Sequence, residues 1–128
     1  MAENKLSTRQ TGLSGENKAA LFLENSGYVI VARNFRVRTG EIDIIALGKT
    51  KRERDTIVFV EVKSLPHGSL ELLEHELNSI KQQKIIKTAK CYLQKYRQYS
   101  DCYIRFDVLA IDVPGLESVH HIVNAFSE

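Results

Sequence analysis

The chain lacks the features that mark secreted, disulfide-stabilised and membrane-spanning proteins. None of its apolar runs approaches the roughly 18 residues that a membrane span requires, and no apolar signal segment follows the polar start at residues 1–5. Its two cysteines, Cys91 and Cys102, have no metal-ligand spacing, so we expect free thiols in a reducing cytoplasm. A formal net charge of +2 is too small to indicate a nucleic-acid partner by itself.

The length and composition predict one domain with one core. The chain has 128 residues, of which 43% are hydrophobic and 27% charged, as is ordinary for a globular protein. Polar residues dominate the start, so we predict a flexible segment over residues 1–13 and a single domain over 14–128.

The order of predicted elements is typical of a small α/β domain with a mixed sheet. We expect a helix from Ser14 to Gly27, strands at 28–32, 40–46 and 58–63, a long helix over 73–96, a strand at 103–111 and an edge strand at 120–126. Charged residues 48–55 predict a hairpin loop, and residues 65–69 predict a turn.

Two of these strands carry charged residues at every second position between apolar ones. Glu41 and Asp43 therefore share one face of the first strand, and Glu61 and Lys63 share one face of the second. Half-buried carboxylates are costly unless they are paired or bind a metal ion. The pattern therefore indicates a hard-cation site with a lysine beside it, which is the chemistry of metal-dependent phosphodiester hydrolysis.

Other interpretations of these charges stay open. Cross-strand salt bridges of Lys63 with Asp43 or Glu61 would also account for them, although the carboxylates outnumber the lysine. Glu41 is either a further metal ligand or a solvated residue at the strand end. Glu16 lies on the apolar face of its predicted helix, so it either points toward the sheet or interacts with the helix dipole in the first turn.

Basic residues flank the acidic strands. They are either phosphate contacts or simply a solvated face. The first group precedes the acidic strand, and the second forms a stripe on the long helix: Arg33, Arg36 and Arg38, then Lys81, Lys84, Lys87 and Lys90. His120 and His121 have no partner at ligand spacing, so we expect them at the surface.

Several motifs in this order closely resemble the YraN-type family of small bacterial proteins, over roughly residues 12–112. The matching pieces are Gly15-Glu16, Gly27-Tyr28, Arg33-Asn34-Phe35-Arg36, Gly40 to Ala46, and Val58 to Lys63. That family resembles the restriction-endonuclease-like, or PD-(D/E)xK, superfamily and is similar in layout to archaeal Holliday junction resolvases. The resemblance implies a restriction-endonuclease-like mixed β-sheet flanked by helices, with an αβββαβ core, in a cytoplasmic protein that binds nucleic acid.

The resemblance also implies roles for particular residues. Asp43 matches the aspartate of the PD position, Glu61 and Lys63 match the (D/E)xK pair, and Glu16 matches the first-helix glutamate. Asp43 and Glu61 would ligate Mg²⁺ or Mn²⁺, while Lys63 would orient or deprotonate the attacking water. Glu16 would complete the outer metal shell or receive a proton. A glutamine of the long helix, either Gln82 or Gln83, would touch the site.

The chain departs from the family in two places. Ser64-Leu65-Pro66 follows the lysine where an arginine is usual, and the loop from Gly48 to Asp55 is longer and more basic than usual. We expect a Mg²⁺-dependent endonuclease acting on DNA, branched DNA included, with no membrane partner. The alternative is a non-catalytic nucleic-acid-binding module that keeps the nuclease fold. Related nucleases dimerise, and residues 102–111 could supply the edge of a homodimer interface.

Overall fold

The computed structural model describes residues 8–48 and 55–128. Its elements are α1 (Thr8–Asn25), β1 (Val29–Val37), β2 (Gly40–Leu47), β3 (Thr56–Ser64), α2 (Leu70–Glu76), α3 (Ser79–Lys95), a 3-10 turn (Arg97–Tyr99), β4 (Tyr103–Ile111) and β5 (Val119–Phe126).

The strands form one five-stranded mixed sheet in the order β1-β2-β3-β4-β5. Among the strands that the structure describes, only β3 and β4 are parallel to each other, and the other neighbouring pairs are antiparallel. A parallel pair needs a crossover connection, which α2 and α3 supply. The predicted α/β class is confirmed, and the sheet with its three flanking helices is consistent with a restriction-endonuclease-like fold.

The core has two layers, one on each face of the sheet. On one face α1 packs Ala19 and Leu23 into a cluster with Ile44 and Val60. On the other face α3 contributes Ile85, Ile86, Ala89 and Tyr92 to a larger cluster that contains Phe59 and Phe106. Because both faces of β3 are covered, its sequence is a nearly continuous apolar run.

The first helix begins earlier than predicted. It starts at Thr8 rather than Ser14. A residue that favours the N-cap can also lie inside a helix when no proline in the preceding residues prevents the helix from starting earlier. The helix thus extends into the segment predicted to be flexible, whose flexibility stays a prediction, and residues 1–7 lie outside the described residues. The predicted end is confirmed, since Gly27 has φ +91° directly after the helix.

The predicted long helix is wrong, because the structure has two helices with an elbow between them. Asn78 caps the second helix: its side chain accepts a hydrogen bond from the Lys81 backbone N–H at 3.1 Å. The Gln82 side chain donates to the Leu77 carbonyl at 2.8 Å and so satisfies the end of the first. Ile80, expected on the apolar face of one continuous helix, is 70% exposed.

The last two strands lie where the sequence predicts them. The strand at 103–111 is confirmed as β4, and β5 is the predicted edge strand. However, β4 lies between β3 and β5, so the idea that residues 102–111 form an interface edge is wrong. The predicted hairpin loop falls largely on 49–54, which lie outside the described residues.

No described helix combines the length and apolar composition that crossing a membrane requires.

Candidate active site

The site forms where the ladder between β2 and β3 opens. Backbone pairing of these strands stops at Ile44 and Val60, one residue short of Asp43. The backbone N–H of Val62 donates to the Asp43 carboxylate at 2.7 Å, measured to Oδ2. The Asp43 side chain thus accepts a hydrogen bond from a backbone N–H of β3. This charge-assisted bond holds the carboxylate in the opening between the strands.

The strict alternation expected for β2 breaks at the same place. Ile42 packs in the core layer under α3, whereas Ile44 packs in the layer under α1. A regular strand would place both on one face. Asp43 therefore occupies an irregular position between two buried isoleucines.

Glu16 reaches Asp43 because α1 approaches β3 closely. A Cβ atom on Gly15 would lie 2.0 Å from Ser64 Oγ, so a larger residue at this close approach would displace that hydroxyl. Burial raises the pKa of Glu16 to about 6, and the charge of Asp43 and a hydrogen bond to it add to the effect, which Arg33 opposes. The inward orientation of Glu16 is confirmed, and the first-turn alternative is wrong because the helix begins at Thr8.

Glu61 completes the cluster from β3. Its side chain is 10% exposed, and Lys81 Nζ lies 4.0 Å from its Oε2. Burial raises the pKa of Glu61 to about 9, helped by a hydrogen bond to Asp43 and by the charge of Asp43, and opposed by Lys81 and Lys63. The structure therefore brings together Glu16, Asp43, Glu61 and Lys63, and adds Lys81.

Glu41 stands apart from this cluster. It lies opposite Arg36 on β1, and the guanidinium is 3.2 Å from its Oε2. Its charge contributes least to the raised pKa of Glu16. Of the two readings left open, the structure favours a strand-end residue over a metal ligand.

The two glutamines predicted to touch the site, Gln82 and Gln83, differ in their surroundings. Gln82 is bound to the Leu77 carbonyl at the helix elbow, while Gln83 is exposed. Lys84, the next residue of α3, is also exposed.

The three predicted arginines are all exposed along β1 and its turn. Arg33 donates to Asn17 Oδ1 at 2.9 Å, which places it next to Glu16 in α1. Arg36 is engaged with Glu41, and Arg38 lies in the turn between β1 and β2.

The donor atoms suit a hard divalent cation. Asp43 and Glu61 offer carboxylate oxygens, the ligands that Mg²⁺ and Mn²⁺ prefer. Within 8–48 and 55–128, no three His, Cys, Asp or Glu side chains are grouped closely enough to hold a metal alone. An ion would thus take its remaining oxygens from backbone, water and substrate, which is common for Mg²⁺.

Sequence patterns alone do not reveal two contacts around the site. Gly15 in α1 faces Ser64 at the end of β3. Lys81, expected to contact phosphate, lies beside Glu61. Neither of these contacts has a sequence signal, because each joins elements far apart in the chain.

The fold and the carboxylate cluster are together consistent with a restriction-endonuclease-like domain. The chain belongs to the uncharacterised protein family UPF0102, whose model matches residues 15–111. This confirms the resemblance to the YraN-type family.

Similar proteins from three bacteria span nearly the whole chain. A UPF0102 protein of Treponema denticola is 43% identical over 123 residues, covering 91% of this chain and 95% of that protein. One from Geobacter metallireducens is 43% identical over 122 residues, covering 94% and 95%. One from Persephonella marina is 44% identical over 115 residues, covering 90% and 91%.

Proposed function

We propose that this protein is a metal-dependent endonuclease that binds nucleic acid, most of all DNA, and hydrolyses phosphodiester bonds, including those in branched DNA. One observation carries the proposal: Asp43 lies in the opening of the β2–β3 ladder, within hydrogen-bonding reach of both Glu16 and Glu61. Burying three carboxyl groups side by side costs free energy unless a cation binds them or a proton is shared between them. Such clusters therefore point to a functional site.

Asp43 and Glu61 would hold Mg²⁺ or Mn²⁺. The ion, when bound, would polarise a phosphate oxygen and make an attacking water more acidic. The Val62 amide restrains Asp43 in this role, because its hydrogen bond at 2.7 Å fixes one carboxylate oxygen.

The other groups of the cluster handle charge and protons. Lys63 acts on Glu61 from the same face of β3 and would orient the water or stabilise charge on the phosphate. Glu16 has a pKa near 6, so its carboxyl can accept a proton close to neutral pH. Lys81 offsets the charge of Glu61.

The substrate would approach across the exposed arginines. Arg33 is anchored beside Glu16, and Arg36 and Arg38 continue along the same edge of the sheet. Lys84 extends the basic surface on α3. Such contacts position a nucleic-acid backbone without reading its sequence. The two free cysteines support action in the cytoplasm.

Calorimetric titration with Mg²⁺ and Mn²⁺, paired with cleavage of linear, nicked and four-way-junction DNA, tests the proposal. Asp43→Asn keeps the size of the side chain but should abolish both metal binding and cleavage. The matched control is Asp112→Asn, which removes an exposed carboxylate paired with Lys18 and should change neither.

Two outcomes would overturn the enzymatic proposal. DNA binding with Asp43-dependent metal binding but no cleavage of any substrate would indicate the non-catalytic binding module. Failure of the wild-type protein to bind metal, even with DNA present, would remove the metal site altogether.

A further inference from the structure

A second surface feature lies between edge strand β1 and the end of α3. It is a cleft of about 450 Å³, walled by residues 31–36 on one side and by Tyr96, Tyr99 and Lys95 on the other. None of the groups proposed for hydrolysis lines it.

Aromatic rings form the floor and one wall of this cleft. The buried Tyr92 lies with its ring centroid 5.0 Å from that of Phe35, 4.5 Å from that of Tyr96 and 6.0 Å from that of Tyr99. Tyr96 and Tyr99 are only half-buried, so part of each ring is open to solvent. Burial raises the pKa of Tyr92 to about 12, with the phenol groups of Tyr99 and Tyr96 nearby, so three hydroxyls also gather here.

Cations are interleaved with these rings. Lys95 Nζ lies 5.5 Å from the centroid of the Tyr96 ring. The Arg36 side chain, on the opposite wall, is 75% exposed. Aromatic faces beside cations are what a stacked base and its phosphate require.

The backbone of β1 is irregular where it forms the wall. The register with β2 shifts between Ile30 and Ala32, and Asn34 has φ +52°. Such irregularities at a sheet edge discourage the addition of another strand and recur next to binding sites. The edge is therefore poorly suited to pairing with a second protein chain.

Arg33 links the cleft to the carboxylate cluster. It belongs to the cleft wall and donates to Asn17, the residue next to Glu16 in α1. A nucleic-acid strand following β1 would thus meet both places.

We propose that this cleft binds an unpaired nucleotide of a DNA strand, with the base stacked on Tyr96 and the phosphate paired with Lys95. The proposal rests on the proposed function, since it identifies the substrate as DNA that contains unpaired nucleotides next to the cleavage site.

Fluorescence anisotropy with labelled oligo(dT), and with a duplex of equal length, tests the cleft. Tyr96→Leu keeps an apolar side chain but removes the stacking face, and should weaken oligo(dT) binding by roughly 5- to 150-fold. Tyr96→Phe should leave it unchanged, as should Tyr103→Leu, which changes a tyrosine that is 74% exposed on β4. Lys95→Gln should weaken binding and reduce its salt dependence.

The results separate this proposal from the nuclease proposal. Binding of oligo(dT) that depends on Tyr96 but persists in Asp43→Asn supports the cleft, whether or not any DNA is cleaved. Equal affinities of wild type, Tyr96→Leu and Lys95→Gln, with melting temperatures unchanged, would overturn the cleft. Metal-dependent cleavage lost in Asp43→Asn would leave the nuclease proposal standing in that case.

Discussion

At the scale of single residues, the carboxylate cluster is a costly arrangement. Asp43, Glu16 and Glu61 share one opening in the sheet, and burial and mutual repulsion raise the pKa of the two glutamates. A fold optimised only for stability would pair such charges or replace them. The proposed metal site would account for this cost, which can be measured in the absence of metal.

Glu61→Gln should stabilise the metal-free protein at pH 8. The pKa of Glu61 is raised to about 9 from an ordinary 4.5, so the folded state holds an extra proton between these values and loses stability as pH rises. Glutamine mimics the protonated acid, so we expect a gain of roughly 1–3 kcal/mol at pH 8 and a flatter pH profile.

Urea unfolding in EDTA at pH 6 and pH 8 measures this effect. The control is Glu74→Gln, which changes an exposed glutamate of α2 and should be neutral at both pH values. A loss of stability in Glu61→Gln at pH 8 would show that the Lys81 contact outweighs the repulsion, as the salt-bridge interpretation requires.

Gly15 offers a second test at the residue scale, because the sign of its effect depends on Ser64. In the wild type, a Cβ at position 15 would lie 2.0 Å from Ser64 Oγ, so Gly15→Ala should destabilise the protein. In the Ser64→Ala background the obstacle is gone, and Gly15→Ala should stabilise by roughly 0.5–1 kcal/mol through helix propensity.

A double-mutant cycle by urea unfolding gives the coupling between the two positions. Equal effects of Gly15→Ala in both backgrounds would mean that Ser64 does not limit the approach of α1. Metal titration of the same variants shows whether the position of Glu16 follows the helix.

At the scale of elements, the elbow between α2 and α3 positions Lys81. Asn78 caps α3 by accepting the Lys81 N–H, and Lys81 in turn lies 4.0 Å from Glu61. A continuous helix, as the apolar spacing predicts, would carry Lys81 elsewhere. A capping residue thus determines where a charge of the site lies.

Asn78→Ala should lower stability by roughly 0.5–2 kcal/mol, because it leaves a helix N–H without its partner. Chemical denaturation measures the loss, and Asn78→Asp, which keeps an acceptor at the cap, should restore most of it. A full loss in Asn78→Asp would show that the side-chain amide donor, which contacts the His75 carbonyl at 3.4 Å, matters more than the cap.

At the scale of the whole molecule, a buried polar network joins β4, β5 and the start of β1. Asp107 is fully buried, and it accepts hydrogen bonds from Arg105, His121 and the Asn124 N–H at 2.7–2.9 Å. Arg105 also donates to the Tyr28 hydroxyl at 2.7 Å. The expectation that His121 lies at the surface is therefore wrong, since its only sequence clue was a missing ligand spacing.

Asp107→Ala should cost roughly 3–5 kcal/mol, because it leaves the Arg105 charge buried without its partner. Thermal unfolding with urea titration measures the loss. Lys18→Ala removes a half-exposed salt bridge to Asp112 and should cost less than about 1 kcal/mol. Similar losses of unfolding free energy in both variants would show that the network does not hold the last two strands to the rest of the fold.

Much of the fold was predictable from local patterns. The strands at 40–46, 58–63 and 103–111 follow from short apolar runs, and the end of α1 follows from Gly27. The helix start at Thr8 and the elbow at Asn78 were not, because capping residues also occur inside helices and the choice depends on packing.

The sequence by itself determined which residue types the site contains and the faces on which Glu61 and Lys63 lie, because strand periodicity is a local property. Only the tertiary structure decided that Asp43 leaves the ladder, that Glu16 reaches it across the Gly15–Ser64 contact, and that Glu41 pairs with Arg36 instead. These contacts join elements distant in the chain, so their geometry arises from the packing of helices on the sheet rather than from any local pattern.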